Sequence, residues 1–197
     1  MYTAQRNPRR ARRPARGYTL IELLIVVAMI AVMASVAVLS FRKYVHAAQS
    51  SEAKVVMGLI RNGEESYRAE MLNYCSCSSS STDYYPNANP DDSRWMWKRP
   101  SDARYSDPNH GWAMLNVNPD GPVRYGYVVM AGVGPSPLPA PDPAFTRPPI
   151  FGTQPSGRPW FVVEARNQHY NNMVPGPPSL LIATSYDGIP YSENEDR

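Results

Sequence analysis

One carboxylate lies near the start of a long apolar run, and this position makes it the first candidate for chemistry. Glu22 is followed by nineteen residues, 23–41, without a charged side chain. Placing an acid in such a segment costs a few kcal/mol in a membrane, and less near an end than at the centre. An acid of this kind needs a cationic partner. We therefore interpret Glu22 as a functional residue that pairs with a positive charge.

The two cysteines of the chain, Cys75 and Cys77, are separated by one serine. A disulfide across a single intervening residue is strained, and a metal site would need further ligands. The three histidines, His46, His110 and His169, show no ligand spacing. We expect the thiols to be structurally incidental or bridged to each other rather than bound to metal, and an oxidising compartment is compatible with either state.

No other motif predicts catalysis or a bound metal. Asn116, Asn118 and Asp120 imitate the first half of a calcium loop, but Tyr127 stands where a glutamate would close it. A plain turn is expected there, with no metal and no cofactor. The chain also lacks a Gly-x-Ser-x-Gly elbow, a phosphate-binding glycine loop and a His-Glu-x-x-His helix. We therefore do not expect an enzyme.

The apolar run that follows Glu22 predicts a membrane helix. As a helix, residues 23–41 would be about 28 Å long, close to the roughly 30 Å of a hydrocarbon core. The run contains no proline or glycine, and Arg42 and Lys43 follow it. A buried core helix is the alternative, but soluble domains seldom supply a helix that is apolar on every side.

The basic residues of the chain are concentrated before this helix, which predicts its orientation. Six of the twenty lysines and arginines lie in residues 1–17, leaving 14 against 17 acids elsewhere. They are Arg6, Arg9, Arg10, Arg12, Arg13 and Arg16. Positive flanks stay in the cytoplasm, and long domains translocate largely regardless of charge. Nucleic-acid binding is the alternative for this arm, and a spanning helix directly behind it makes that interpretation the weaker one.

Residues 17–28 read Gly-Tyr-Thr-Leu-Ile-Glu-Leu-Leu-Ile-Val-Val-Ala, and this run resembles the class III signal of type IV prepilins and pseudopilins. The resemblance implies that a prepilin peptidase cuts after Gly17 and methylates Tyr18. It also implies that Glu22 pairs with the terminal amine of a neighbouring subunit. Tyr18 replaces the commonest phenylalanine. Leu39 and Ala31 replace a common proline and glycine, which predicts a straighter helix.

The resemblance implies an α+β pilin-like fold, in which a long helix packs against a small antiparallel sheet with long irregular loops. The expected parts are a basic leader removed on maturation (1–17), a membrane or filament-core helix (18–41), its amphipathic continuation (42–74) and a loop-rich globular domain (75–197). The helix is expected from Tyr18 to Leu72, about 80 Å long. Acids such as Glu64 are assigned to its polar face.

Three later segments predict strands because they are rich in aromatic and branched residues between turn-forming residues. They are Arg124–Val133, Pro159–Asn167 and Ser179–Tyr186. Residues 83–123 are expected to be irregular, with Trp95, Trp97 and Trp112 anchoring them to the core; a sugar-binding platform is the alternative. The alternating prolines of 135–143 predict an extended surface linker.

The interpretation that unites these features is a structural subunit, a pilin or minor pilin of a type IV pilus-like filament. Its expected partners are a prepilin peptidase, other pilin subunits and an inner-membrane assembly platform. It would lie in a bacterial inner membrane, N-terminus cytoplasmic and body periplasmic, before joining a periplasmic or extracellular filament. The alternatives are a pseudopilin of a type II secretion system and a signal-anchored periplasmic binding protein.

Overall fold

The computed structural model describes residues 17–134, 138–147, 157–168, 170–171, 174–186 and 190–194. The chain divides into two compact units, Met1–Phe41 and Arg42–Arg197. Most of the expected leader, residues 1–16, lies outside the described residues. Helix α1 (Leu20–Met71) supplies residues to both units.

Helix α1 begins and ends within two residues of its predicted bounds. Its start follows from the sequence Thr-Leu-Ile-Glu, because a threonine followed three residues later by glutamate can satisfy free N–H groups of the first turn. At the other end, Leu72 adopts a left-handed conformation with φ of 63°, and its N–H donates to the carbonyl of Arg68 at 2.9 Å. This bond closes the last turn before the chain leaves the helix.

The second unit contains a four-stranded antiparallel sheet in the order β1-β2-β5-β6 and a separate small hairpin. The sheet strands are β1 (Gly126–Val133), β2 (Pro159–Asn167), β5 (Ser179–Thr184) and β6 (Tyr191–Glu193), and the hairpin pairs β3 (Tyr170–Asn171) with β4 (Val174–Pro175). The three predicted strands are confirmed as β1, β2 and β5. The sequence did not predict β6, which lies in the acidic tail and pairs with β5.

Alternate side chains of the sheet join α1 in the main core. This cluster contains Tyr127 and Val129 from β1, Phe161, Val163 and Ala165 from β2, and Leu181 from β5. The second half of α1 contributes Ala53, Val56, Met57 and Ile60. Their spacing of three, one and three residues places them on one helical face. The amphipathic pattern after Arg42 therefore buries an apolar face against the sheet, but two residues assigned to that face, Val55 and Met71, are 65% and 55% exposed.

The opposite face of the sheet is also covered, and the proline-rich segment supplies the cover. Phe145 and Leu138 pack with Trp160, Val162 and Ile182. The predicted surface linker, 135–143, is described from residue 138 onward, and there it is only partly on the surface, because Asp142 is buried. Phe145, just after the predicted linker, is buried as well.

The buried carboxylate of Asp142 connects the same segment to neighbouring residues by hydrogen bonds. Asp142 accepts hydrogen bonds from the Tyr84 hydroxyl, from Arg166 Nη1 at 3.0 Å and from the Ala144 N–H at 2.7 Å. The N–H of Asp142 donates to Glu164 Oε2 on β2 at 3.1 Å. Burial raises the pKa of Glu164 to about 8. This polar network lets charged groups lie beside an apolar cluster, because each bond compensates part of the lost hydration.

Residues 83–123 are more ordered than the sequence predicts. They contain a short helix α2 (Ala103–Ser106) and a 3₁₀ helix (Trp112–Leu115). The Tyr85 ring stacks on Trp112 at 5.4 Å and meets Trp97 edge-on at 5.3 Å. Trp97 and Trp112 are 3% and 1% exposed, so the structure confirms that they anchor this segment, whereas Trp95 is half-buried.

Candidate processing and assembly segment

The expected cleavage junction lies in irregular backbone just before α1. Gly17 and Tyr18 are both exposed, and among the described residues no atom beyond the chain neighbours of Gly17 lies within 4 Å of the position of a Cβ added to it. The Tyr18 side chain is 82% exposed. A protease needs an accessible, non-helical bond, and the junction 17–18 has both properties in this chain.

Glu22 forms the acidic half of a capping box at the start of α1. Its Oε2 accepts hydrogen bonds from the Thr19 N–H and from Thr19 Oγ1, both at 2.9 Å. In return, the Glu22 N–H donates to Thr19 Oγ1 at 3.2 Å. Both bonds to the carboxylate use the same oxygen, so the other oxygen remains an acceptor for a second group. Thr19 is a residue of the capping box that was not predicted, although the Thr-x-x-Glu spacing indicates its role.

The apolar side chains after Glu22 are exposed in the single chain. Leu24 is 68% exposed, Val27 64% and Phe41 68%. The polar atoms in the segment are satisfied locally, because Ser35 and Ser40 donate to the carbonyls of Val32 and Val36, at 2.7 and 3.3 Å. By length and composition α1 can cross a membrane. Its first half therefore presents a surface suited to lipid or to other apolar helices.

Cys75 and Cys77 lie at the other end of α1 as buried free thiols. Their Sγ atoms are 3.2 Å apart. The contact between the two sulfurs lowers the pKa of Cys75 and, together with burial, raises the pKa of Cys77. The structure thus brings the two predicted residues together, in contact with the main core.

Glu64 is the acid beside this pair, and its assignment to the polar face of α1 is wrong. The side chain is 0% exposed, and its Oε2 accepts the Cys75 N–H at 2.9 Å. Burial raises its pKa to about 9, from an ordinary value of 4.5. Spacing alone did not reveal this burial, because the segment after α1 folds back over the helix and covers a position that an isolated helix would expose.

The described residues contain no group of three or more histidine, cysteine or acidic side chains placed to hold a metal ion. In the calcium-like run, Asn116 has a left-handed backbone, with φ of 48°, and ends the 3₁₀ helix with its N–H bonded to the Ala113 carbonyl. A turn is what the sequence predicts at this position, and asparagine tolerates that backbone better than most residues.

Comparison with known proteins shows where the similarity lies. The family model described as the prokaryotic N-terminal methylation motif matches residues 12–38. The type IV major pilin protein PilA of Myxococcus xanthus is 36% identical over 74 residues. That match covers 38% of this chain and 31% of the pilin, so the chain spans less than a third of the length of this curated relative. No solved structure matches the chain.

The matched motif contains the junction at Gly17 and Tyr18, the capping box of Glu22 and most of the exposed apolar helix surface. The structure adds a long N-terminal helix and a small antiparallel sheet, which is the predicted α+β arrangement. The chain is therefore similar to type IV pilin-like proteins in its N-terminal part, and the N-terminal methylation motif is the feature that carries this similarity.

Proposed function

We propose that this chain is the precursor of a structural subunit of a type IV pilus-like filament. In this proposal a prepilin peptidase cuts between Gly17 and Tyr18 and methylates the new terminus. The apolar helix then holds the subunit in a bacterial inner membrane, with the basic arm on the cytoplasmic side before cleavage and the second unit in the periplasm. The observation that carries the proposal is the methylation motif at residues 12–38, continuous with an exposed apolar helix surface.

That surface supports assembly on physical grounds. Side chains such as Leu24 and Val27 are more than half exposed in the single chain. Each fully buried side chain of this type is stabilised by roughly 1.5–3 kcal/mol relative to water. The segment is therefore stable in lipid or packed against the same segment of other subunits. Moving a subunit from lipid into the filament requires a partner, and we propose that an inner-membrane assembly platform is that partner.

Glu22 is the residue that we propose gives the packing its register. A carboxylate among apolar helices is costly unless a cation meets it, and the methylated amine of a neighbouring Tyr18 is that cation. An α-amino group titrates near ~8 and is protonated at neutral pH. The bonds to Thr19 use one carboxylate oxygen, so an amine can approach the other without breaking the helix cap.

Two substitutions of Glu22 distinguish its role in the helix cap from its role in the ion pair. Glu22→Gln keeps a side-chain oxygen that can cap the helix, because glutamine also serves in a capping box, but it removes the charge. Glu22→Ala removes both. The proposal predicts that both variants enter the membrane normally and that both are lost from filaments recovered by shearing. Glu70→Ala is the matched control, since Glu70 is an exposed acid near the far end of the same helix.

Normal recovery of Glu22→Gln in filaments would contradict the ion pair and leave only helix capping for this residue. The same experiment addresses the pseudopilin alternative, whose signal has the same form. Recovery of the unsubstituted chain in sheared surface fibres supports a pilin or minor pilin. Recovery only in periplasmic assemblies that accompany protein secretion supports a pseudopilin.

A further inference from the structure

The end of α1 carries a cluster that the assembly function does not use: the thiols of Cys75 and Cys77 and the carboxyl group of Glu64. The two sulfurs are 3.2 Å apart. Glu64 is held against Cys75 by the 2.9 Å bond from that residue's N–H, which keeps the carboxyl group close to the Cys75 side chain. One carboxyl oxygen, Oε1, is buried and has no hydrogen-bond partner among the described residues.

A route to the protein surface exists on the Cys77 side. Cys77 lines an open cleft of about 530 Å³ together with Ser76, Ser79, Arg104 and His110. Cys75 does not line this cleft. Both thiols are buried, with exposures of 3% for Cys75 and 6% for Cys77, and Cys77 is the one beside the cleft from which a partner thiol would approach.

We propose that Cys75 and Cys77 form a reversible disulfide site, and that an oxidised dithiol protein is the oxidant. This role goes beyond filament assembly and does not depend on it. A disulfide across one residue is strained, and strained disulfides are the easily reduced ones. The site is therefore suited to switching between two states rather than to permanent cross-linking.

The reaction follows thiol–disulfide exchange. Cys77 loses its proton to solvent in the cleft and attacks the partner's disulfide as a thiolate, which forms a mixed disulfide and releases one partner thiolate. Cys75 then loses its proton to solvent and attacks Cys77 Sγ, which expels the second partner thiolate. One S–S bond forms in this chain and one breaks in the partner. The two protons lost by the cysteines are balanced by the two that the partner thiolates take up.

The buried acid beside the thiols does not oppose the exchange, because it is neutral. The groups around Glu64 are the two cysteines, Glu65 and Tyr67, whose mutual electrostatic effects all oppose a second negative charge. Burial raises the pKa of Glu64 to about 9, so its carboxyl group is mostly protonated at neutral pH and leaves room for one thiolate.

The test is a redox titration of the purified full-length chain in detergent micelles. The reduced chain is equilibrated in glutathione buffers, trapped with iodoacetamide under denaturing conditions, and weighed intact. The proposal predicts one transition in which both alkylation sites disappear together and the unmodified mass falls by about 2 Da, the two hydrogen atoms lost when a disulfide forms. Cys75→Ser is expected to give a glutathione adduct on Cys77 instead, and Cys77→Ser is expected to form its adduct more slowly, because Cys75 does not line the cleft.

Alkylation of both thiols across the whole buffer range would overturn the disulfide, as would glutathione adducts on the unsubstituted chain. The neutral state of Glu64 is tested by the rate of disulfide closure at pH 7. Glu64→Gln keeps a neutral side chain beside the thiols, so it is expected to close as fast as Glu164→Gln, a variant of an equally buried acid away from the cysteines. Slower closure for Glu64→Gln alone would contradict a carboxyl group that is neutral and takes no part in the exchange. None of these results depends on cleavage at Gly17, so failure of the site and failure of the filament proposal are distinguishable.

Discussion

Two glycines in the second half of α1 provide a matched test of how this helix packs. A Cβ added to Gly63 would lie 2.5 Å from the carbonyl oxygen of Leu115 and 3.3 Å from its Cβ. The first distance is far below normal contact, and it involves backbone that cannot rotate away. In the described part of the chain, a Cβ added to Gly58 meets no atom within 4 Å outside its own stretch of helix. The same substitution should therefore have different effects at the two positions.

The magnitudes follow from two terms. Replacing glycine by alanine inside a helix stabilises it by about 1 kcal/mol, and this term is common to both positions. Forcing extra atoms into a packed site costs about 1–3 kcal/mol, and this term applies to Gly63 alone. We expect Gly58→Ala to raise the free energy of unfolding by about 0.5–1 kcal/mol. We expect Gly63→Ala to be neutral or to lower it by up to about 2 kcal/mol.

The assay is urea unfolding of the full-length chain in detergent micelles, followed by tryptophan fluorescence. Trp97 and Trp112 are buried in the same core cluster as Leu115, so their emission reports the loss of this packing. A difference between the two variants of about 1–3 kcal/mol supports the close approach of α1 and the 3₁₀ helix. Equal stabilisation by both substitutions would refute it.

Three further predictions concern buried acids and the processing site. The pKa of Glu64 is about 9 in the native state and about 4.5 in the unfolded state. Between these pH values the native state holds a proton that the unfolded state has lost. The free energy of unfolding therefore falls as the pH rises through this range, by at most about 1.4 kcal/mol per pH unit. Unfolding curves from pH 5 to 9 should show a weaker slope for Glu64→Gln. Asp142→Asn should lower the free energy of unfolding by about 1–2 kcal/mol, since the partly exposed Arg166 loses its charged partner; exposed Asp120→Asn should not, and equal effects would count against the network. Gly17→Leu should block processing while Gly17→Ala is largely cleaved, as judged by precursor size on gels; rapid cleavage of the leucine variant would contradict a requirement for a small residue.

The parts of the fold that the sequence predicts are those set by local patterns. Residues 23–41 have no charge, proline or glycine, so helix α1 is the only regular structure they favour. Strands β1, β2 and β5 follow from dense branched and aromatic residues. Glu22 was identified as a candidate because an acid in that run is costly whatever the fold is.

The parts that the sequence did not predict depend on contacts between distant residues. Strand β6 is short and polar, and it exists because Leu181 on β5 pairs with Ser192. The order of residues 83–123 comes from ring contacts of Tyr85 with Trp97 and Trp112. Glu64 looks like a surface acid until the following loop covers it. Such long-range effects override local propensity and leave no periodic signal.

The central claim is that the methylation motif is used, and the most direct test is the mass of the N-terminal peptide and of the intact chain recovered from native membranes. The account predicts a chain that begins at Tyr18 and carries a methyl group on its terminal amine. A chain that retains Met1 and the arginine arm would contradict it. In that case Glu22 would serve only the helix cap, and a signal-anchored periplasmic binding protein would become the leading interpretation.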